Sequence, residues 1–231
     1  MDESQLLKQQ GFLVLKKIGE GSYGQIFAVH DPQIGIVAAK VMKNEDFLEN
    51  EWNISGPLSQ GPPHIRKFVV NFYLAQRFDR FTVILMDYCN MGTLFDLINT
   101  QQDLPIPVIR KIMKQILTGL SYIHSKGIIH RDIKGGNILL HSPPGSGKVI
   151  LKIADFGEAI MQQHVGEEMM MDKAGTYAYM PPELLLADQN LLIKADEKID
   201  VWAAGMLLYQ LFTRSFPFNP HNENEIMMFE K

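Results

Sequence analysis

The chain has 231 residues, 46% of them hydrophobic, with a net charge of −4 and a single cysteine. That apolar content is enough to bury a core in one large domain or two small lobes. The scattered Lys and Arg leave no basic footprint for nucleic acid, so no nucleic-acid partner is expected. The lone Cys89 excludes an internal disulfide and any paired-cysteine zinc or redox pattern, which suits a reducing, intracellular compartment, cytoplasmic or nuclear.

Residues 1–11 are a polar segment whose MDESQLLKQQ lacks the basic start and apolar run of a secretory signal. The longest apolar runs, such as Thr82 to Met86, are far shorter than a bilayer span, so no membrane partner is expected. FLVLKKIGE, QIFAVHD, IGIVAAKVM, IRKFVVNFYLA and FTVILMDYC then alternate in the strand manner between Gly, Pro and Asp punctuation. Asp46 to Ser55 reads as one short helix ended by Gly56 and Pro57. After the short NMG at 90–92 the period changes. Val108, Ile109, Ile112, Met113, Ile116, Leu117, Leu120 and Ile123 fall at helical spacing, with Pro107 near the start and Gly127 at the close. DVWAAGMLLYQLF, from Asp200 to Phe212, is apolar nearly all round and predicts a helix buried in a core.

Three motifs carry chemistry. GEGSYGQI, Gly19 to Ile26, holds a GxGxxG that chance alone supplies roughly once in ten chains of this length. Because a strand follows the glycines, a hairpin whose amides fold over phosphates fits better than a dinucleotide site. In VAAK, Lys40 ends a strand one step beyond that loop, within reach of phosphate oxygens, and Glu45, Glu49 or Glu51 could hold it in place. Glu49 and Glu51 lie about 200° apart on a helix, so only one of them can face Lys40. HRDIKGGN, His130 to Asn137, fixes five polar residues, a pattern that chance supplies in roughly one in ten thousand chains of this size. PPGSGKV at 143–149 imitates a Walker A loop. It has Ser142 where the first glycine belongs and Val149 where the magnesium-binding hydroxyl belongs, so a hairpin turn is expected.

With HRDIKGGN, DFG at 155–157, PPE at 181–183 and DVWAAG at 200–205 in that order, residues 12 to 218 resemble the eukaryotic protein kinases. The resemblance implies an α+β, bilobal protein-kinase-like fold. A small antiparallel-sheet N-lobe with one main helix would span 12–89, and a mainly helical C-lobe would span 90–231. That C-lobe is expected to lack its last helices, along with an arginine partner for Glu183. The chain is then either a fragment of a longer protein or an unusually short one whose exposed C-lobe needs a covering partner.

The reaction implied is ATP-dependent transfer of a γ-phosphate, with Mg2+, to protein substrates. By resemblance Gly19, Gly21 and Gly24 cover the phosphates, and Lys40 binds them while pairing with Glu51. Asp132 accepts the substrate hydroxyl's proton, Lys134 neutralises the transferred phosphate, and Asn137 and Asp155 hold magnesium with hard oxygens. Adenine lies between Ile26 and Ala38 above and Leu139 below. Met86 stands behind it, the backbone of Asp87 to Cys89 beside it, and Ile18 belongs to the same cofactor-binding set. Cys89 itself reads as a small apolar linker residue.

Lys134 and Thr176 in GTYAYMPPE resemble the serine/threonine branch, and HRDIKGGNILL leans toward the sterile-type group without settling a subfamily. Two other readings stand beside this one: a non-catalytic kinase-like module that binds nucleotide or protein, and a small-molecule phosphotransferase.

The segment EAIMQQHVGEEMMMDKAG, 158–175, contains no Ser, Thr or Tyr, although segments in this position are commonly ordered by phosphate placed opposite an arginine, here Arg131. Either Glu167, Glu168 or Asp172 pairs with Arg131 in place of phosphate, or the stretch is a solvated acidic loop with Met169 to Met171 loosely packed. A metal site through His164 is disfavoured, since carboxylates and thioethers suit different ions. Four residues after Glu51, where the resemblance implies a large apolar residue packed toward Phe156, this chain has Ser55, which predicts a short helix and an easily lost ion pair.

Overall fold

The computed structural model describes residues 2–21, 24–47, 49–100, 102–188, 192–219, 221, 222 and 225. Its first part is a five-stranded antiparallel sheet in the order β1-β2-β3-β5-β4, formed by β1 (Leu13–Gly21), β2 (Gly24–Asp31), β3 (Gly35–Lys43), β4 (Phe72–Arg77) and β5 (Phe81–Asp87). The strand-like runs of the sequence all reach the sheet except the first half of IRKFVVNFYLA. Ile65 and Arg66 finish a helical turn there, and Val69 instead bridges Ile153 in parallel. Val70 N–H donates to the Ile153 carbonyl and Ile153 N–H to the Phe68 carbonyl, both at 2.9 Å, so this connection stitches the sheet to the helical part.

Residues 1–11 do more than their polarity suggests. Asp2 caps a helix, α1 (Glu3–Gln9), accepting from the Ser4 amide at 2.6 Å. Leu6 and Leu7 of α1 are buried on the sheet face among Phe27, Val29, Val41 and Val83. Two adjacent leucines among polar residues signal a one-faced helix only when a sheet is there to receive them.

The helix expected over Asp46 to Ser55 is divided. Asn44–Asp46 form a tight 3₁₀ turn, followed by α2 (Glu49–Asn53) and α3 (Ser55–Ser59). Gly56 and Pro57 do not end a helix. They occupy the first turn of α3, where an amide has no intrahelical partner and a proline's missing N–H costs nothing. A further short turn, α4 (Pro63–Arg66), leads to β4.

The second part is helical, with small two-stranded pairs. It begins with α5 (Leu94–Asn99), where Thr93 and Asp96 form a reciprocal capping box. Then comes α6 (Ile106–His124), whose Ile109, Ile112, Met113, Ile116, Leu120 and Ile123 are buried at the predicted spacing. Each such side chain contributes about 1.5–3 kcal/mol of burial. β6 (Ile128–Ile129) pairs with β9 (Ile160–Met161), β7 (Ile138–His141) with β8 (Ile150–Ile153), and β10 (Met169–Met171) with β11 (Ile193–Ala195). The PPGSGK stretch is the turn joining β7 to β8, with Ser146 N–H donating to the Pro143 carbonyl at 3.1 Å.

α7 (Pro182–Leu185) and α8 (Lys198–Thr213) complete the described elements. α8 departs from expectation. Ala203, Ala204, Met206, Leu207 and Leu211 are buried, but Val201, Leu208, Tyr209 and Phe212 face outward. Composition alone cannot separate these two faces. Leu208 and Phe212 line, with Ile106, Met113 and Leu117 of α6, an apolar groove of about 980 Å³. Among the described residues no helix is long and apolar enough to cross a membrane.

Candidate active site

A cleft of about 750 Å³ opens between sheet and helices. It is lined by Ile18, Gly19, Gly24, Ile26, Ala38, Lys40, Glu51, Met86, Asp87, Cys89, Asp132, Lys134, Asn137, Leu139 and Asp155, residues scattered over more than half of the sequence. Gly21 pairs with Gly24 at the end of the β1–β2 ladder, while Ser22 and Tyr23 at the tip of GEGSYG lie outside the described residues. Gly24 must be glycine for a local reason, since a Cβ there would sit 2.3 Å from the Val41 carbonyl oxygen.

The roof of the cleft is apolar. Ala38, Met86, Val70 and Ala154 form a small buried cluster against which Ile26, Phe72 and Leu139 pack. At its edge the Asp87 carboxylate is held by three donors. Its Oδ2 accepts from Lys152 Nζ at 2.8 Å and from the Asn71 amide at 3.0 Å, and its Oδ1 accepts from the Tyr73 hydroxyl at 2.6 Å. Burial, with that bond, pushes the Tyr73 phenol up to about 12. Burial chiefly pushes the Cys89 thiol up to about 12 as well, in keeping with an inert linker residue.

Behind the roof Lys40 Nζ donates to both oxygens of Glu51, at 2.7 and 2.9 Å, and lies 3.6 Å from Asp155 Oδ1. Of the three glutamates considered, Glu51 is the one that reaches Lys40, while Glu45 pairs with Lys43 at 3.4 Å on the surface. Both members are buried, Lys40 with 7% and Glu51 with 3% of its surface exposed. Burial pushes the Glu51 carboxyl above its usual range, and the Lys40 charge pulls it partly back.

The expected short helix is seen, α2 being only five residues long, and the Lys40–Glu51 pair is formed beside it. Ile54, next to Ser55, is buried in the same core as Phe156. The Phe156 ring has no exposed surface. It packs edge-on to Phe72 at 6.1 Å between centroids and lies 4.8 Å from the His130 ring.

The floor carries a hydrogen-bonded carboxylate. Asp132 Oδ1 accepts from the Thr176 hydroxyl at 2.7 Å and the Thr176 amide at 3.0 Å. Its Oδ2 takes Lys134 Nζ at 2.7 Å and Asn137 Nδ2 at 2.9 Å. Lys134 Nζ also donates to Thr176 Oγ1 at 2.9 Å, closing a ring of three side chains. Burial raises the Asp132 carboxyl, but the bonds from Lys134 and Thr176 and the Lys134 charge outweigh it, so its net position is below the ordinary value and it is ionised near neutral pH.

Asn137 Nδ2 donates to both the Asp132 carboxylate and its carbonyl, and the amide oxygen on the same group is a hard donor with no hydrogen bond among the described residues. Among the described residues no cluster of three or more His, Cys, Asp or Glu side chains could hold a metal by itself. An ion here would rest on Asn137 and Asp155 and take its other ligands from phosphate oxygens and water, the coordination that suits magnesium.

One residue behind this floor was not assigned a role from sequence. Asp200 in α8 accepts from the amides of His130 at 2.8 Å and Arg131 at 2.9 Å, with His124 Nε2 at 2.8 Å from the same carboxylate. These bonds hold Arg131 at φ 66°, an uncommon conformation for a side-chain-bearing residue. The signal was present in DVWAAG, because a single carboxylate on an otherwise apolar helix is buried only when it has partners. His130 completes the frame. Its Nε2–H donates to the Ala154 carbonyl at 3.0 Å, and its Nδ1 accepts from the Asp132 amide at 3.3 Å.

The acidic stretch is not a loose loop throughout. Met171 is buried with Met180, Leu184, Ala195 and Ile199, and Arg131 Nη1 meets Asp172 Oδ1 at 2.6 Å. Glu168 is engaged elsewhere, with Lys194 at 2.6 Å.

Comparison with known families matches residues 12–231 to the protein kinase domain. Among curated proteins the chain is 34% identical over 212 residues to serine/threonine-protein kinase SBK1 of Danio rerio, covering 89% of this chain and 52% of that one. It is 30% identical over 224 residues to serine/threonine-protein kinase ULK1 of Homo sapiens, covering 92% and 20%. It is 28% identical over 220 residues to serine/threonine-protein kinase chk-1 of Caenorhabditis elegans, covering 90% and 41%. The chain thus spans about half or less of these relatives' lengths. A glycine hairpin, a buried Lys–Glu pair and a braced aspartate around one cleft agree with the match across nearly the whole chain, which belongs to the protein kinase domain family.

Proposed function

We propose that this chain transfers the γ-phosphate of Mg-ATP to serine or threonine hydroxyls of protein substrates. The observation that carries the reading is Asp132: an ionised carboxylate bonded to a lysine, an asparagine and a threonine, in the same cleft as the buried Lys40–Glu51 pair. On this reading 12–89 is the nucleotide-binding lobe and 90–231 the lobe that presents the acceptor.

The apolar cluster of Ala38, Met86, Ile26 and Leu139 is shaped for a flat base, with Ile18 at the rim and the backbone from Asp87 to Cys89 offering hydrogen bonds. Gly19, Gly21 and Gly24 bring backbone amides to the phosphates without side chains in the way. Lys40, fixed by Glu51, supplies a positive charge to the non-transferred phosphates. Magnesium held by Asn137 and Asp155 would neutralise charge on the phosphate oxygens. Asp132 accepts the proton of the incoming hydroxyl, and Lys134, already in this hydrogen-bonded ring, steadies charge on the group in transfer. A non-catalytic module has no chemical need for all of these residues together, and the relatives named above are serine/threonine kinases by name.

The discriminating experiment offers three otherwise identical peptides bearing Ser, Thr or Tyr, together with a small alcohol, to the purified chain with labelled Mg-ATP. Label on Ser and Thr peptides alone is the expected result. Label on Tyr alone, or on the alcohol alone, would overturn the acceptor assignment.

A further inference from the structure

Arg131 joins the two ends of the acidic segment. Its side chain is only 9% exposed, and a guanidinium so placed must be paired. Nε donates to the Glu158 carbonyl at 2.6 Å, at the start of the segment, and Nη1 to Asp172 Oδ1 at 2.6 Å, near its end. Three residues beyond Asp172 the chain passes so close to Arg131 that a Cβ on Gly175, at φ +100°, would lie 2.2 Å from the Arg131 carbonyl oxygen. The next residue, Thr176, delivers its amide and hydroxyl to Asp132. The path from Asp172 through Arg131 to the braced carboxylate is therefore short and continuous.

Nothing between 158 and 175 carries a hydroxyl, so no phosphate ester can form within that stretch. The anion opposite Arg131 belongs to the chain itself. We propose that Asp172 is a positioning residue that holds the segment in its working arrangement without phosphorylation, so that the chain is active as synthesised. This rests on the phosphotransfer reading above.

The chemistry gives the device a recognisable signature. A carboxylate offers one charge and two oxygens where a phosphate offers nearly two charges and three. The Asp172 side chain is 70% exposed, so its attraction to Arg131 is open to screening by salt. The hydrogen bond from Arg131 holds the Asp172 carboxyl below the usual carboxylate range, so its charge is constant from about pH 5 to 8. A phosphate in its place would change charge near pH 6.

The test uses the whole chain, purified and treated with a protein phosphatase, with two readouts: turnover on a Ser/Thr acceptor and amide hydrogen exchange across 158–173. Phosphatase is expected to leave turnover unchanged. Asp172→Asn is expected to lower kcat about tenfold, the scale of one charge-assisted hydrogen bond, with KM for ATP within about twofold and faster exchange in the segment. Asp172→Glu, which keeps the charge, is expected to recover most of both. Turnover abolished by phosphatase, or an Asp172→Asn protein matching wild type in turnover and exchange, overturns the proposal. If the wild type shows no turnover, the phosphotransfer reading has failed, and exchange alone then decides the anchor. Loosening in Asn and not in Glu upholds Asp172 as the anchor, and equal exchange refutes it.

Discussion

Breaking the Lys40–Glu51 pair from one side should be far worse for stability than removing it altogether. Glu51→Gln leaves the Lys40 ammonium 7% exposed, with Asp155 at 3.6 Å as its remaining charged neighbour. Removing one partner of a buried pair costs about 3–5 kcal/mol. The residual attraction to Asp155, whose side chain is 49% exposed, places this case near the lower end, about 3 kcal/mol. At ~2–4 °C per kcal/mol for a chain of this size, the melting midpoint should fall by roughly 6–12 °C.

Lys40→Met should cost less, because burial already pushes the Glu51 carboxyl upward and it can neutralise itself by taking a proton. The sign follows: with a raised folded value, this group favours the fold below its unfolded pKa, and the contribution is lost as pH rises through the folded one. The double change of Lys40→Met with Glu51→Leu should lie within about 1 kcal/mol of wild type, since apolar replacement of a buried pair is commonly neutral. Phosphotransfer should nevertheless be lost in all three. Urea titration beside a turnover assay separates the effects. A Glu51→Gln protein as stable as wild type would refute the reasoning, as would a double variant less stable than either single one.

Other consequences are direct. Lys134→Met removes the hydrogen bond and charge that hold Asp132 low, so the acidic limb of the kcat/KM profile should move to higher pH, whereas in the wild type it lies below the usual carboxylate range. Thr176→Val removes the hydroxyl shared by Asp132 and Lys134 and should reduce kcat roughly tenfold while leaving the melting midpoint within a few degrees, read by steady-state kinetics and thermal unfolding. The Cys89 thiol, pushed up to about 12, should resist a thiol-titrating disulfide at pH 7.5 until the chain is denatured, when the one cysteine should react fully. Lys152→Met leaves Asp87 without its cation and should raise KM for ATP more than it lowers kcat, because the strand leading to the linker loses its tie to β8.

Much of this was legible in the residues, for identifiable reasons. The sheet was readable because its strands are short apolar runs set off by Gly, Pro and Asp, although β3 and β5 are buried on both faces rather than on alternate residues, and the 3.6 period of α6 showed because that helix has one buried face. The site residues were readable because HRDIKGGN and DFG place several polar groups at fixed short separations, which chance rarely supplies. What sequence could not supply lay in long-range placement. Whether Glu45, Glu49 or Glu51 met Lys40 depended on where α2 docks, and no local signal marked the division of the helix at Ile54, which is buried in the main core. The outward face of α8 and the sheet-bound leucines of α1 were invisible because periodicity reports which residues are apolar and not what stands opposite. Among Glu167, Glu168 and Asp172, charge alone could not choose. The β10–β11 pairing leaves Glu168 beside Lys194 and Asp172 beside Arg131.

The central claim is that Asp132 handles the proton of an acceptor hydroxyl. The measurement that meets it most directly is transfer of labelled γ-phosphate from Mg-ATP to a Ser/Thr acceptor protein by the purified chain, beside Asp132→Asn, with nucleotide binding measured for both. The account predicts equal binding, with transfer in the wild type and a loss of at least about a hundredfold in the variant. Equal transfer by both proteins would contradict it, as would a folded, nucleotide-bound wild type that transfers nothing.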